Sequence, residues 1–369
     1  MSPGAAITRR GFLAGAAAIA AAGLPRSEPL RGGSPEPPRQ GIAQGPENGA
    51  RAAGQETRRA MSAPPGKSRV VVIRHESLAA EGQGPPPERV RDLLDEAARA
   101  LAGDAKAADA WARWLKPSDR LGIKVNCLGY PTRPAVGLAI AAAAGAAGLA
   151  PERVIIWDRT TDELRRAGYE PRGSGSGVRC FGTDALAQRG SGGYGPEILT
   201  SGAIGSLYSR IVADEATALV SACILKDHNL AGLTCAMKNF YGAIHNPNKY
   251  HDNGCDPFVA DACAHPLIRG RLRLVVCDAL RPQYHGGPAH RSQWQWPYGG
   301  LIVSTDPVAL DRVALEILAR KRAAAGAKPL EAENRPVRYL ASAQSRGLGT
   351  ADLAGIEVLS IGKPWMDVA

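Results

Sequence analysis

The residues best suited to chemistry gather between Ala218 and Pro257, in the run ALVSACILKDHNLAGLTCAMKNFYGAIHNPNKYHDNGCDP, which holds three of the seven histidines. Lys226 and His228 follow an apolar stretch, and in an extended chain residues two apart point the same way, so both could serve one site. Beyond them, Leu230, Leu233, Met237 and Ile244 make an apolar stripe. Thr234, Lys238, Tyr241 and His245 fall on another face at helical spacing. The spacing predicts a helix stopped by Asn246-Pro247, since a residue before proline avoids the α region. Lys249, Tyr250, His251, Asp252, Cys255 and Asp256 crowd the next loop. An ammonium at Lys226 or Lys238 can hold phosphate or carboxylate, or act as a base if its apolar setting lowers its pKa. His228, His245 and His251, with Asp252 or Asp278, offer a divalent metal imidazole and carboxylate ligands. Cys223, Cys235 and Met237 read as core filling.

Several elements must position these groups. Strand-like runs occur at 69–74, 120–126, 153–158, 218–225, 271–278, 300–306 and near 355–361. Helical patterns occupy 87–101, 134–148, 208–216, 258–268 and 307–325, with a further segment around Trp111 and Trp114 and a short one in the tail. Another leads from Thr161 or Asp162, either of which can cap it, to Ala167. Strands alternating with helices predict an α/β fold with a mostly parallel sheet flanked by helices. Five strands end in Asn126, Asp158, Lys226, Asp278 and Asp306, and in open α/β sheets ligands sit outside the carboxyl ends of the strands. One shared polar site is therefore expected there. Its catalytic groups are Lys124, Lys226, His228, Lys238 and Asn239. Asn126, Asp158, Thr234, Asp278 and Asp306 contact a cofactor, and His228, His245 and His251 ligate a metal.

Other signals narrow the class. The net charge of +10 divides evenly: residues 1–67 carry nine Lys/Arg against four Asp/Glu, and the remaining three hundred hold the other half of the surplus. No basic stripe with interleaved aromatics suggests nucleic acid. Thr8-Arg9-Arg10-Gly11-Phe12-Leu13 resembles a twin-arginine export motif. The Ala/Gly-rich run to Leu24 suits a signal peptide, 1–24, and is too short for a stable membrane span. Residues 25–67 read as a Pro/Gly-rich disordered linker, and 68–369 as the α/β domain. The twin-arginine translocation machinery is the expected partner and the periplasm, or another extracytoplasmic compartment, the destination. That route carries folded chains, which accommodates a metal or cofactor loaded before export. Seven cysteines without CxxC or CxxCH argue against c-type haem, a ferredoxin-like cluster and a zinc knuckle. Cys255 and Cys263 are candidates for a disulfide. Residues 170–206 are rich in Gly and Ser with no strong pattern; within them GSGSG at 173–177 lacks the Lys-Ser/Thr of a phosphate loop, and it and SGGYG at 191–195 read as flexible surface loops. Neither a nucleophile elbow nor HExxH is present.

Lys226-x-His228, Leu230-Ala231-Gly232, Thr234, Lys238-Asn239 and Gly242, with IKVN at 123–126, VIIWD at 154–158, VVCDA at 275–279 and STDPVALD at 304–311, resemble the signature of domain-of-unknown-function family 362. The resemblance runs from about Ser68 to Ala325. The KNFYG core and HNPNKYH extension are similar to a twin-arginine-exported subgroup. Some members are fused to iron–sulfur modules, which implies a redox setting for those; this chain lacks their cysteine pattern. The resulting expectation is an exported metal- or cofactor-dependent enzyme, an oxidoreductase among the options, acting on a small molecule. The alternative is a non-catalytic envelope protein that binds a small anion or metal.

Overall fold

Val-, Ile- and Leu-rich runs pair into one large sheet, and the amphipathic segments between them cover its two faces. The computed structural model describes residues 66–79 and 84–369. The expected signal peptide, and the expected linker up to residue 65, lie outside the described residues. In chain order the elements are β1 (Ser68–Arg74), α1 (Pro87–Ala102), α2 (Ala107–Trp114), β2 (Leu121–Val125), α3 (Pro134–Ala146), β3 (Val154–Trp157), α4 (Thr161–Arg166) and β4 (Arg179–Cys180). A small hairpin of β5 (Leu199–Ser201) and β6 (Ile204–Ser206) precedes β7 (Ala218–His228) and β8 (Gly232–Thr234). Then come α5 (Phe258–Ala264), α6 (Pro266–Arg269), β9 (Leu272–Gln283), β10 (Gly300–Ser304), α7 (Pro307–Ala324), α8 (Tyr339–Ser345) and β11 (Ile356–Gly362).

The main sheet runs β11-β1-β10-β9-β7-β2-β3-β4, with β8 folded back on β7. Neighbours are parallel except around β10, which opposes both β1 and β9, and at the β7–β8 hairpin. Alternation along the strands sends Val71, Ile123, Val220 and Val276 to the face covered by α1, α2 and α3. Val70, Cys223, Val275 and Ile302 pack on the other side against α7. β7 is buried along its whole length, as its near-continuous apolar run predicts for a central parallel strand.

The antiparallel course of β10 carries one consequence for the site. Asp306 follows β10 and so lies at the edge opposite the carboxyl ends of β2, β3 and β7, where Asn126, Asp158 and Lys226 lie. There it accepts hydrogen bonds from Val308 and Ala309 and caps α7. It also takes Ser68 Oγ at 2.6 Å and the Thr350 amide at 2.9 Å. Asp306 thus joins helix, first strand and tail, and is not part of the expected site.

Local departures have plain causes. The helix expected over 230–245 is instead the β7–β8 hairpin followed by a 3-10 turn, Lys238–Ala243. Gly232 sits at φ +75°, where an added Cβ would fall 2.4 Å from the Arg335 carbonyl, so the chain turns there and pairs with β7. The Asp311 carboxylate then accepts from Ala236 and Met237, taking amides that a helix would have used. Residues 208–216 make only a short π turn at Ile211–Glu215. His265-Pro266 divides the expected 258–268 helix into α5 and α6. Thr160, one residue ahead of the two expected caps, accepts from Glu163 and begins α4. The patternless stretch 170–206 contains β4 and the β5–β6 hairpin, all outside the two glycine motifs. All seven cysteines are free and buried, so Cys255 and Cys263 form no disulfide.

Candidate functional site

β2, β3 and β7 end side by side, and three lysines converge beyond them. Lys124, in β2, is 1 % exposed. Its Nζ donates to Asp158 Oδ1 (2.6 Å), the Val125 carbonyl (2.6 Å) and Asn239 Oδ1 (3.3 Å). Asp158 also accepts from the amides of Cys127 (2.6 Å) and Arg159 (2.8 Å). Asn239 completes the knot by donating Nδ2 to the Lys124 carbonyl (2.8 Å) and to Ser221 Oγ (3.1 Å). Gly242 closes over this pair, and a Cβ there would stand 2.6 Å from Lys124 Nζ. Lys124, Asp158 and Asn239 are therefore mutually satisfied and act as a brace. Asn239 fixes the turn that presents the residue before it, Lys238.

Lys226 is a second clamp. Its ammonium donates to Asn126 Oδ1 (2.9 Å), the Leu128 carbonyl (2.6 Å) and the Tyr130 carbonyl (2.8 Å). Burial pushes its pKa down to about 7. Three acceptors at these distances nevertheless need three N–H donors, and only the charged group has them. The hydrogen bonding defines Lys226 as an ammonium holding the 126–130 loop, with no donor left for a ligand. Its two-residue spacing from His228 does not bring them onto one ligand.

Lys238 is different. It is 7 % exposed, and its Nζ meets one hydrogen-bond partner, His251 Nε2 at 3.1 Å, while lying 4.3 Å over the Tyr241 ring. Burial lowers its pKa from 10.5 to about 8. His251 Nδ1 lies 2.9 Å from the Pro247 carbonyl. That nitrogen must carry the proton, which leaves Nε2 to accept from Lys238. The His228 ring stacks on His251 with centroids 5.7 Å apart. His228 Nδ1 accepts from the amides of Leu230 (3.1 Å) and Ala231 (3.2 Å), so the proton resides on Nε2. Burial first, and the neighbouring Lys238 second, drive its pKa to about 2. The ring is neutral, with an Nε2–H that has no protein partner among the described residues. Lys238 and His228 thus present unused donors, and among the described residues no carboxylate bonds to either. At the end of β8, opposite Lys226 in the ladder, Thr234 Oγ1 is buried with no partner.

Of the remaining expected residues, Asn126 serves as an acceptor for Lys226. Asp278 is fully buried in mid-β9, where it accepts from the Arg133 amide (2.9 Å) and guanidinium (3.0 Å) at the start of α3. His245 is exposed and packs edge-on against Tyr194, 4.9 Å between centroids. His228, His245 and His251 therefore do not gather as three metal ligands. Among the described residues the one compact group of three metal-type side chains is Cys223, Cys235 and Cys277.

A cavity of about 740 Å³ opens beside the clamped loop, lined by Cys127, Tyr130, Arg133, Arg166, Arg281 and His290 among others. Tyr130 and His290 stack at 5.0 Å on its wall. A second, of about 490 Å³, is lined by Asp227, Asn229 and Arg335, and so flanks His228 along the chain. Asp227 is buried and bonded to Arg335 at 2.6 Å. Neither lining includes Lys238. Sequence reasoning missed Arg133, whose signal was its place directly before a helix-opening proline. It placed Asp311 in the first turns of the 307–325 helix and missed its role as a buried acceptor for Ala236 and Met237.

The family model described as "Domain of unknown function (DUF362)" matches residues 121–316, more than half of the chain, and the chain belongs to that family. No curated protein matches it. No solved structure matches it either.

Proposed function

We propose that this DUF362-family chain is an exported enzyme of the twin-arginine subgroup that acts on a small anionic molecule, with Lys238 as its proton-transfer group. One observation carries the reading: Lys238 is the convergent lysine whose ammonium is left unsaturated. Lys124 and Lys226 are tied down by three acceptors each, whereas Lys238 has one. A buried amine with a pKa of about 8 exchanges its proton close to neutral pH, which is what a general acid–base group needs. The His228 Nε2–H is a second donor on the same side, and Lys226, which has no carboxylate partner among the described residues, adds positive charge nearby. Donors without acceptors suit an oxyanion: a carboxylate, a phosphate, or the enolate formed when a proton leaves the carbon beside a carbonyl.

On this reading the substrate's anionic oxygen sits between Lys238 and His228. His251 fixes the Lys238 side chain through its Nε2 lone pair. The brace of Lys124, Asp158 and Asn239 fixes the backbone. Export rests on the amino-terminal motif alone. Metal dependence has weaker support, because the three candidate histidines are not brought together. An oxidoreductase role would need a cofactor that no residue in this arrangement identifies.

The test is thermal stabilisation of the purified chain by inorganic phosphate, sulfate and a panel of 2-oxo and 2-hydroxy carboxylates. Wild type should be stabilised by one class, and Lys238→Met and His228→Gln should lose the response while remaining folded. Isotope exchange from solvent into the responding compound then separates turnover from simple binding. An equal response in Lys238→Met and wild type would sink the assignment. A ligand held by wild type but recovered without exchange would favour the binding-protein reading.

A further inference from the structure

We infer that Cys223, Cys235 and Cys277 form a three-thiolate site for one monovalent soft cation, Cu(I), inside the sheet–helix core and separate from the lysine site. Cys223 and Cys277 are direct partners in the parallel β7–β9 ladder, so their side chains leave the sheet together. Cys235 follows β8 and folds over the same face. Its sulfur lies 3.6 Å from that of Cys223 and 3.5 Å from that of Cys277. All three sulfurs lie within 4.8 Å of one another, and all three residues are 0 % exposed.

That triangle has the size of a metal's coordination shell. Metal–sulfur bonds of about 2.3 Å give sulfur–sulfur edges of about 4 Å in a planar trigonal site and slightly less on a tetrahedral face. Donor chemistry narrows the occupant. Three sulfurs without oxygen or imidazole select a soft ion. Zinc in a closed protein site takes four ligands. The nearest candidate for a fourth, Asp311, has its oxygens engaged by the amides of Ala236 (2.7 Å) and Met237 (3.2 Å) and by Tyr339 OH (3.3 Å). Asp311 also hydrogen-bonds Cys235; apart from it, the three cysteines are members of a buried apolar cluster that includes Val70, Val72, Leu225, Val275 and Ile302. A d¹⁰ cation content with three sulfurs is the occupant this geometry fits. The three sulfurs bind as thiolates, and the thiol protons they carry pass to solvent. No electron changes hands.

Because the thiols are closed off, the ion must enter as the chain folds. The experiment therefore uses the full chain, produced with copper and zinc in the medium and purified without oxygen. Metal content and X-ray absorption at the copper edge are then read. The expected result is one copper per chain with three sulfur neighbours. Cys235→Ser and Cys277→Ser should lose the copper, and Cys127→Ser and Cys263→Ser should keep it. If the core variants fail to fold, the sulfur shell of the wild type decides alone. A wild-type chain free of copper, copper bound through nitrogen or oxygen, a four-coordinate zinc, or a disulfide involving Cys235 would each overturn the proposal.

Discussion

Replacing Lys238 by methionine should make the protein more stable at neutral pH while abolishing its ligand response. Methionine keeps the length of the side chain and removes the charge. Burial lowers the Lys238 pKa from 10.5 to about 8, and at about 1.4 kcal/mol per tenfold change this is a cost of roughly 3 kcal/mol for holding the ammonium in place. Losing the hydrogen bond to His251 and the contact over Tyr241 offsets about 1–2 kcal/mol of that. The net expectation at pH 7 is a gain of about 1–2 kcal/mol. The sign of its pH dependence is fixed. Between pH 8 and 10.5 the unfolded wild type binds a proton that the folded form does not, so wild-type stability rises with pH in that window. The variant lacks this titration, and its advantage should shrink by up to about 1.4 kcal/mol per pH unit above pH 8. Urea unfolding of both proteins at pH 7, 8, 9 and 10 measures the difference directly. A variant less stable than wild type by more than about 1 kcal/mol at pH 7, with no change in the gap up to pH 10, would refute the claim that Lys238 is an under-satisfied buried amine.

Three further outcomes follow from the same geometry. Asp158→Asn should cost about 3–5 kcal/mol, because Lys124 would remain buried and charged without its counter-ion, and urea midpoints would show it. Asp306→Ala should cost about 1–2 kcal/mol through the lost α7 cap and its ties to Ser68 and Thr350, yet leave ligand-induced thermal shifts unchanged. His228, with its folded pKa near 2, should make wild type lose stability as pH falls below 6.5, where the unfolded chain takes up a proton. The slope relative to His228→Gln should approach 1.4 kcal/mol per pH unit, and equal slopes in the two proteins would contradict the buried neutral ring.

The layered α/β fold was legible because its signals are local. Val71 and Ile73, Ile123 and Val125, and Val275 and Val276 announce strands by their own side chains, and Pro87, Pro134 and Pro307 open helices where proline is tolerated. Strand direction is not local. Nothing within GLIVS distinguishes a parallel from an antiparallel neighbour, so Asp306 read as a fifth member of the site while β10 carried it to the other edge. The 230–245 segment failed for a related reason. Its 3.6-residue pattern is real, but Gly232 and the carboxylate of Asp311, 75 residues beyond Ala236, override it. Periodicity counts apolar positions and is blind to a distant acceptor.

The same blindness separates the lysines. By residue type Lys124, Lys226 and Lys238 are alike, each in or next to an apolar segment, and sequence grouped them as one catalytic set. Their difference lies in how many acceptors the fold delivers to each ammonium: three to Lys124, two of them distant in the chain, three to Lys226, all about a hundred residues away, and one to Lys238. A lysine with three short acceptors spends its charge on structure. One buried with a single acceptor keeps two donors and a depressed pKa, at a cost in desolvation. On the proposed reading, chemistry belongs at the position where the polar network is incomplete, and the complete parts of that network hold it open.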